Sequence, residues 1–165
     1  PLFITFGSMI NAAPAEKTRL ILNILERHRI PAILNTASGG LVEPTDYDRQ
    51  LIHFVPRIPY DWILPKVHGV VHHGGSGTTH LALKYGCASL IIPHIIDQFV
   101  WNSLVHELGA GPKGIKINRL TGSRLEPLLL DLYQNPAFKA RAEEIGAQMK
   151  QEKLAGILYE ELVRV

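Results

Sequence analysis

The sequence predicts an α/β protein built on a doubly wound parallel sheet of about six strands flanked by helices. Three observations carry that expectation. Short apolar runs alternate with longer segments of helical spacing. Each short run ends at a glycine, a proline or a polar turn. The order is strand, helix, strand, strand, helix, strand, helix, strand, then helices.

Each element has its own reason. Residues 2–6 (LFITF) form a β-rich run stopped by Gly7 and Ser8. Residues 14–28 open on Pro14 and set Leu20, Ile21, Ile24 and Leu25 at helical spacing. Residues 32–35 and 51–55 read as strands separated by the polar, acidic loop 39–48. Residues 56–65 hold three prolines besides Tyr60 and Trp62 and read as a loop with a short helical turn. Residues 69–72 are a strand, 75–85 a helix stopping at Gly86, and 89–92 a strand ended by Pro93. Residues 97–108 are a helix ended by Gly109, and 114–117 the last strand. Residues 123–133, 136–151 and 154–163 are helical, with the main break at Asn135-Pro136.

The chain of 165 residues fits one domain, residues 1–165, with 46% apolar and 19% charged residues. The net charge of +2 comes without a lysine or arginine block, which argues against a nucleic-acid or membrane footprint. Cys87 stands alone, so no internal disulfide forms and a reducing, cytoplasmic setting is expected. The longest apolar stretch, 90–96, is broken by Pro93 and His94, which excludes a membrane-spanning helix there. Any peripheral membrane contact is therefore expected through parts outside this chain. Pro1 leads straight into a strand, so the chain reads as cut from a longer protein at a linker.

In an open parallel sheet, ligands sit where the loops leave the carboxyl ends of the strands. Three unusual loops fall on that edge: 7–9, 73–79 and 94–98. The central one reads VVHHGGSGTT over 70–79. Gly74, Gly75 and Gly77 let the backbone turn tightly and approach a ligand, and the following helix points free N–H groups at the loop. Ser76, Thr78 and Thr79 add hydroxyl donors, and His73 adds a ring N–H. A diphosphate could be held there without lysine or metal. The plainer reading is a glycine-shaped turn with Thr78 or Thr79 capping the helix. The loop lacks both the Gly-Lys-Ser/Thr ending of a P-loop and the last glycine of the dinucleotide fingerprint, a place His80 occupies.

His72, His73, His80 and His94 invite a metal site, but adjacent strand residues point to opposite faces and no cysteine or carboxylate cluster accompanies them. No metal is expected, and His72 reads as a packed core histidine. Asp97 and Gln98 together can accept from and donate to paired sugar hydroxyls; alternatively Asp97 is a helix cap. Trp62, Trp101 and Tyr60 could stack on a ring, although such spacings more often mark core.

The motif VVHHGGSGTT, with Gly86, Pro93, Asp97-Gln98, Trp101 and residues 108–112 (LGAGP), resembles the donor-binding half of family-one glycosyltransferases of the GT-B fold. Residues 6–9 (FGSM) and 59–65 (PYDWILP) are similar to the sterol 3-beta-glucosyltransferase branch and its bacterial antibiotic-tailoring relatives. The resemblance implies a Rossmann-like domain binding a UDP-sugar, UDP-glucose first, for an inverting transfer of hexose to a hydroxyl of a lipophilic acceptor such as a sterol. It assigns the diphosphate to His73, to the N–H groups of Gly75, Ser76, Gly77 and Thr78 and to the Thr78 hydroxyl, with Gly7 and Ser8 approaching from the first loop. It gives the sugar hydroxyls to Asp97 and Gln98, and the base to residues 55–59, nearest Val55, Arg57 and Ile58. Two positions depart: Leu81 stands where plant members carry a ribose-binding glutamate, and their base-stacking tryptophan has no clear counterpart.

The resemblance also implies a partner, the N-terminal acceptor domain that carries the catalytic base, so no catalytic residue is assigned within this chain. No cofactor or metal is called for, and the domain alone is expected to be inactive. Two other readings remain: a donor-binding subunit of a two-chain glycosyltransferase, and a non-catalytic ligand-binding domain.

Overall fold

The structure is a computed structural model and describes residues 1–151. The helix expected over 154–163 lies outside the described residues. Five parallel strands form one sheet in the order β3-β2-β1-β4-β5: β1 (Leu2–Thr5), β2 (Ala32–Asn35), β3 (Ile52–Val55), β4 (Gly69–His72) and β5 (Ala88–Ile91). Six helices accompany them among the described residues: α1 (Pro14–Arg27), α2 (Tyr60–Ile63), α3 (Ser76–Lys84), α4 (Ile96–Glu107), α5 (Gly122–Gln134) and α6 (Pro136–Gln151).

The register lines up the strand ends. Thr5 pairs with Asn35 and with His72, Asn35 with Val55, and His72 with Ile91. All five strands thus finish at one level, and their following loops share one edge.

Both faces are covered, as all-parallel sheets require. On one face Ile4, Phe6, Leu34, Val71 and Leu90 pack against Ile21 and Leu25 of α1 and Leu125, Leu129 and Leu132 of α5. On the other, Phe3 and Val70 meet Ile63, Leu64 and Ala82, while Ile91 meets Val105 of α4 and Ala142 and Ile145 of α6. Each such side chain contributes about 1.5–3 kcal/mol by leaving water. The strands read as near-continuous apolar runs for this reason: neither face is wet.

The sheet has five strands, and the sixth expected over 114–117 does not form. That chain instead runs beside β5, bonded to it from Ser89 N–H to Ala110 C=O (2.9 Å) and to the loop after it from Ile117 N–H to Pro93 C=O (3.1 Å). The reason lies in α4. Asn102 donates from Nδ2 to the Gly114 carbonyl (3.0 Å) and accepts the Gly114 N–H at Oδ1 (2.9 Å). Both backbone groups of Gly114 are then satisfied by a side chain and cannot join a ladder with β5. Residues 117–119 close into a 3-10 turn, Ile117–Arg119.

The β2–β3 connection contains no helix. It is tied down by Asp48, whose Oδ1 accepts the N–H groups of Gln50 and Leu51 and whose Oδ2 accepts from Arg29. Those N–H donors and the guanidinium hold the Asp48 carboxyl below the usual carboxylate range.

Candidate functional site

The chain moves outward from β1 through β2 to β3, then returns to place β4 on the other side of β1. The loops after β1 and β4 therefore leave from adjacent strands and diverge, which opens a crevice at the switch point. Gly7, Ser8 and Met9 form one wall, and His73 to Thr78 the other. Gly7 adopts φ +57° and donates its N–H to the Thr5 hydroxyl (3.1 Å), while Met9 N–H closes the turn onto Phe6 C=O. Ser8 is exposed.

His73 sits at the centre. A Cβ on Gly7 would stand 2.7 Å from His73 Cε1, and one on Gly75 would stand 2.5 Å from His73 Nε2. The imidazole thus fills the space that side chains at either glycine would need. It is only 8% exposed, and its Nδ1 has no hydrogen-bond partner among the described residues. Burial, and then the nearby His94, push its pKa down; Asp97 pulls the other way. At neutral pH the ring is a neutral donor or acceptor with one orphan nitrogen.

Helix α3 begins immediately after. Its N-cap is Gly75, with no side-chain cap, so capping by Thr78 or Thr79 is excluded. The first helical bond runs from Thr79 N–H to Gly75 C=O (2.9 Å), which leaves the N–H groups of Ser76, Gly77 and Thr78 without helical partners. The Thr79 hydroxyl donates to Gly75 C=O (2.9 Å) and is buried, so Ser76 and Thr78 are the hydroxyls turned outward. Fixed N–H groups, two hydroxyls and a positive helix end make an anion cradle that contains no lysine or arginine.

The third loop behaves differently from the sequence expectation. Asp97 is not the N-cap of α4; Ile95 is, and the capping acceptor is Gln98. Gln98 Oε1 accepts the N–H groups of His94 (2.7 Å) and Ile95 (3.2 Å), and its Nε2 points to the Met9 sulfur at 3.6 Å. Gln98 is 2% exposed and holds the β5 loop to the β1 loop, whereas Asp97 is exposed and free to meet a ligand. His94 adds a second tie. Its Nδ1 donates to Ile92 C=O (2.9 Å), its Nε2 meets Asn11 Oδ1 (2.7 Å), and Asn11 Nδ2 donates to Gly40 C=O (2.6 Å). Sequence reasoning passed over Asn11, which shows only a polar residue before a helix.

On the β3 side, the segment expected to receive a base borders two clefts of about 430 Å³ each. One is lined by Asn35, Ala37, Pro56, Arg57 and Ile58, the other by Thr36, Val42, Phe54 and Val55. Arg57 is exposed, and Ile58 packs on the Phe3 cluster. A surface cavity of about 650 Å³ between α1 and α5 is lined by residues such as Arg19, Arg27 and Glu126 and receives none of the three loops.

The aromatic candidates serve structure. The Tyr60 hydroxyl bonds the Thr5 hydroxyl (3.0 Å) and its ring meets Phe3 edge-on; Trp101 meets His80 edge-on at 4.9 Å. Trp62 is half exposed beneath Lys66, whose Nζ lies 3.7 Å from its ring centroid. Leu81 packs into the Phe3 cluster, so its position is apolar by packing. His72 is fully buried, accepts the Gly74 N–H at Nδ1 (3.1 Å), and is pushed down to about 3 by that burial. It supports the glycine turn from beneath. No group of three or more metal-ligating side chains assembles among the described residues.

Solved structures with this five-stranded parallel sheet and matching topology include GT-B glycosyltransferases. The chain superimposes on the rhamnosyltransferase SpnG with a TM-score of 0.77 at 20% identity, covering 91% of this chain and 41% of that one. It superimposes on the glycosyltransferase VinC, solved in complex with dTDP, with a TM-score of 0.74 at 25% identity, covering 91% and 37%. Residues 48–163 match the family described as erythromycin biosynthesis protein CIII-like, C-terminal domain, and the chain belongs to it. Among named relatives, the sterol 3-beta-glucosyltransferase UGT80A2 of Arabidopsis thaliana is 34% identical over 155 residues, covering 92% of this chain and 24% of the relative. A sterol 3-beta-glucosyltransferase of Kluyveromyces lactis is 31% identical over 171 residues, covering 98% and 14%. The chain therefore spans about a quarter or less of the length of these relatives.

Proposed function

We propose that this chain binds the sugar donor, UDP-glucose, of an inverting glycosyltransferase that glucosylates a hydroxyl of a lipophilic acceptor such as a sterol. The observation that carries the reading is the cradle itself: three unpartnered N–H groups at the start of α3 beside a buried His73 with an orphan nitrogen. A diphosphate can accept from the three N–H groups at the start of α3, with His73 packed between the two loops that flank it. Each hydrogen bond to a charged oxygen is worth about 1.5–3 kcal/mol, enough to hold the group without a metal. The nucleotide bound to VinC and the glucosyltransferase relatives support a nucleoside diphosphate sugar.

In this reading Gly7 and Ser8 close on the phosphates from β1, and Thr78 donates its hydroxyl. Asp97 accepts from sugar hydroxyls, Gln98 fixes the loop that carries it, and the clefts at Val55 to Ile58 take the base. The acceptor hydroxyl attacks the anomeric carbon and loses its proton to a base on an N-terminal acceptor domain. The cradle stabilises the departing diphosphate with donors already in place. The chain alone binds but does not transfer, and a cytoplasmic setting suits a nucleotide-sugar user.

Titration calorimetry tests this. UDP should bind the wild-type chain without added metal, and His73→Ala should weaken it at least tenfold. Unchanged affinity in His73→Ala would remove the residue from the site, and no binding of UDP, dTDP or their sugars would remove the function.

A further inference from the structure

His94 faces two oxygens at once. Its Nδ1 lies 2.9 Å from the Ile92 carbonyl oxygen, and its Nε2 lies 2.7 Å from Asn11 Oδ1. The buried Asn11 amide is fixed in that sense, because its Nδ2 donates to the Gly40 carbonyl at 2.6 Å. Turning it over would set the amide oxygen against the Gly40 oxygen. A neutral imidazole carries a single N–H. With Nδ1 donating to Ile92, the Nε2 lone pair is left pointing at an oxygen lone pair. Only the doubly protonated ring donates to both partners.

The surroundings hold the second proton off in the free protein. The ring is half-buried, and burial pushes its pKa down; the bond to Ile92 C=O opposes this. It shares a cleft of about 380 Å³ with Lys17 of α1, and no carboxylate among the described residues lines that cleft. His73, on the β4 loop, is near enough for His94 to help lower its pKa. Asp97, the nearest acid in sequence, is exposed. The hydrogen-bond frame for an imidazolium is thus in place, and the negative charge that would hold one is not. An anion in the adjoining cradle supplies that charge, since an opposite charge favours the protonated form.

We propose that binding of a diphosphate in the cradle is coupled to uptake of a proton from solvent at His94. The proton adds at Nε2, and the Asn11 contact becomes a donated hydrogen bond. Departure of the diphosphate returns the proton to solvent. A cradle without lysine or arginine thereby gains a cation only while it holds its anion. His94 is a positioning residue: in the charged form it ties the β1 loop, through Asn11, to the β5 loop. The inference rests on the donor reading above.

UDP-glucose is the probe, because its diphosphate is a diester with no group that titrates near neutral pH. Calorimetry at pH 7 in two buffers of different ionisation heat counts the protons. The wild-type chain should take up roughly half a proton or more per ligand bound, and its affinity should rise as the pH falls from 8 to 6.5, by about threefold or more per unit, with tenfold the limit for one proton. His94→Gln should bind without uptake and with an affinity that does not follow pH. Proton–nitrogen NMR of the wild-type histidine rings gives a reading that needs no variant: both His94 nitrogens should become protonated when UDP-glucose is added. Binding without net uptake, uptake that survives in His94→Gln, or a neutral His94 ring in the complex would overturn the proposal. Failure of UDP-glucose to bind at all would overturn the donor reading, and this inference with it.

Discussion

The imidazole of His73 occupies the space that a side chain on Gly7 would fill, with only 2.7 Å between Cε1 and the would-be methyl carbon. Two loops from adjacent strands are locked by that fit. Gly7 also sits at φ +57°, where an L side chain is strained. Gly7→Ala should therefore destabilise the fold by about 1–3 kcal/mol and weaken UDP binding through a displaced His73. Urea unfolding and calorimetry on the same protein measure both; a stable variant with native affinity would show that the two loops are not coupled.

Asp97 and Gln98 adjoin in sequence but part in role. Gln98→Ala leaves two backbone N–H groups without their acceptor and should cost about 1–3 kcal/mol of stability. Asp97→Ala removes an exposed group and should change stability by less than about 0.5 kcal/mol. Its effect should appear in binding, with UDP-glucose weakened more than UDP. An equal loss for both ligands would argue against a sugar contact.

Asn102 holds Gly114 by both of its backbone groups. Asn102→Ala should cost about 1–3 kcal/mol and speed amide exchange at Gly114 ahead of the sheet. Exchange that stays slow there would mean the segment is fixed by something else.

Acidification should weaken the fold, starting below neutral pH. His72 is held at about 3 in the folded chain against about 6.5 unfolded, so below 6.5 the unfolded chain takes up a proton that the folded one refuses. Above 6.5 the group has no effect; between 6.5 and 3 stability falls by up to about 1.4 kcal/mol per pH unit for this group. His73 and His94 shift the same way, both through burial. Urea midpoints at pH 7.5 and 5.5 check the sign: a higher midpoint at pH 5.5 would contradict it.

Much of this was readable in the sequence. The five strands stand where apolar runs meet turns, because both sheet faces are buried and each strand is apolar along its length. The loops at Gly7, His73 and Asp97 were visible as glycines and polar residues at strand ends. The missing sixth strand was not readable, because the competitor for its backbone groups, Asn102, lies twelve residues away. Nor was the capping role of Gln98, which depends on how the β5 loop folds over.

The irregular segment that replaced a sixth strand has one more consequence. β5 ends the sheet, and a bare terminal strand offers its backbone to any neighbouring chain. Here residues 110–117 lie against it so closely that a methyl group on Gly111 would reach within 1.8 Å of the Ser89 carbonyl oxygen. The strand is shielded without being extended, because the covering segment is irregular and its central residue, Gly114, turns both backbone groups to Asn102. The domain thereby closes one flank against edge-to-edge growth into aggregates, and a bulky residue at Gly111 would reopen it.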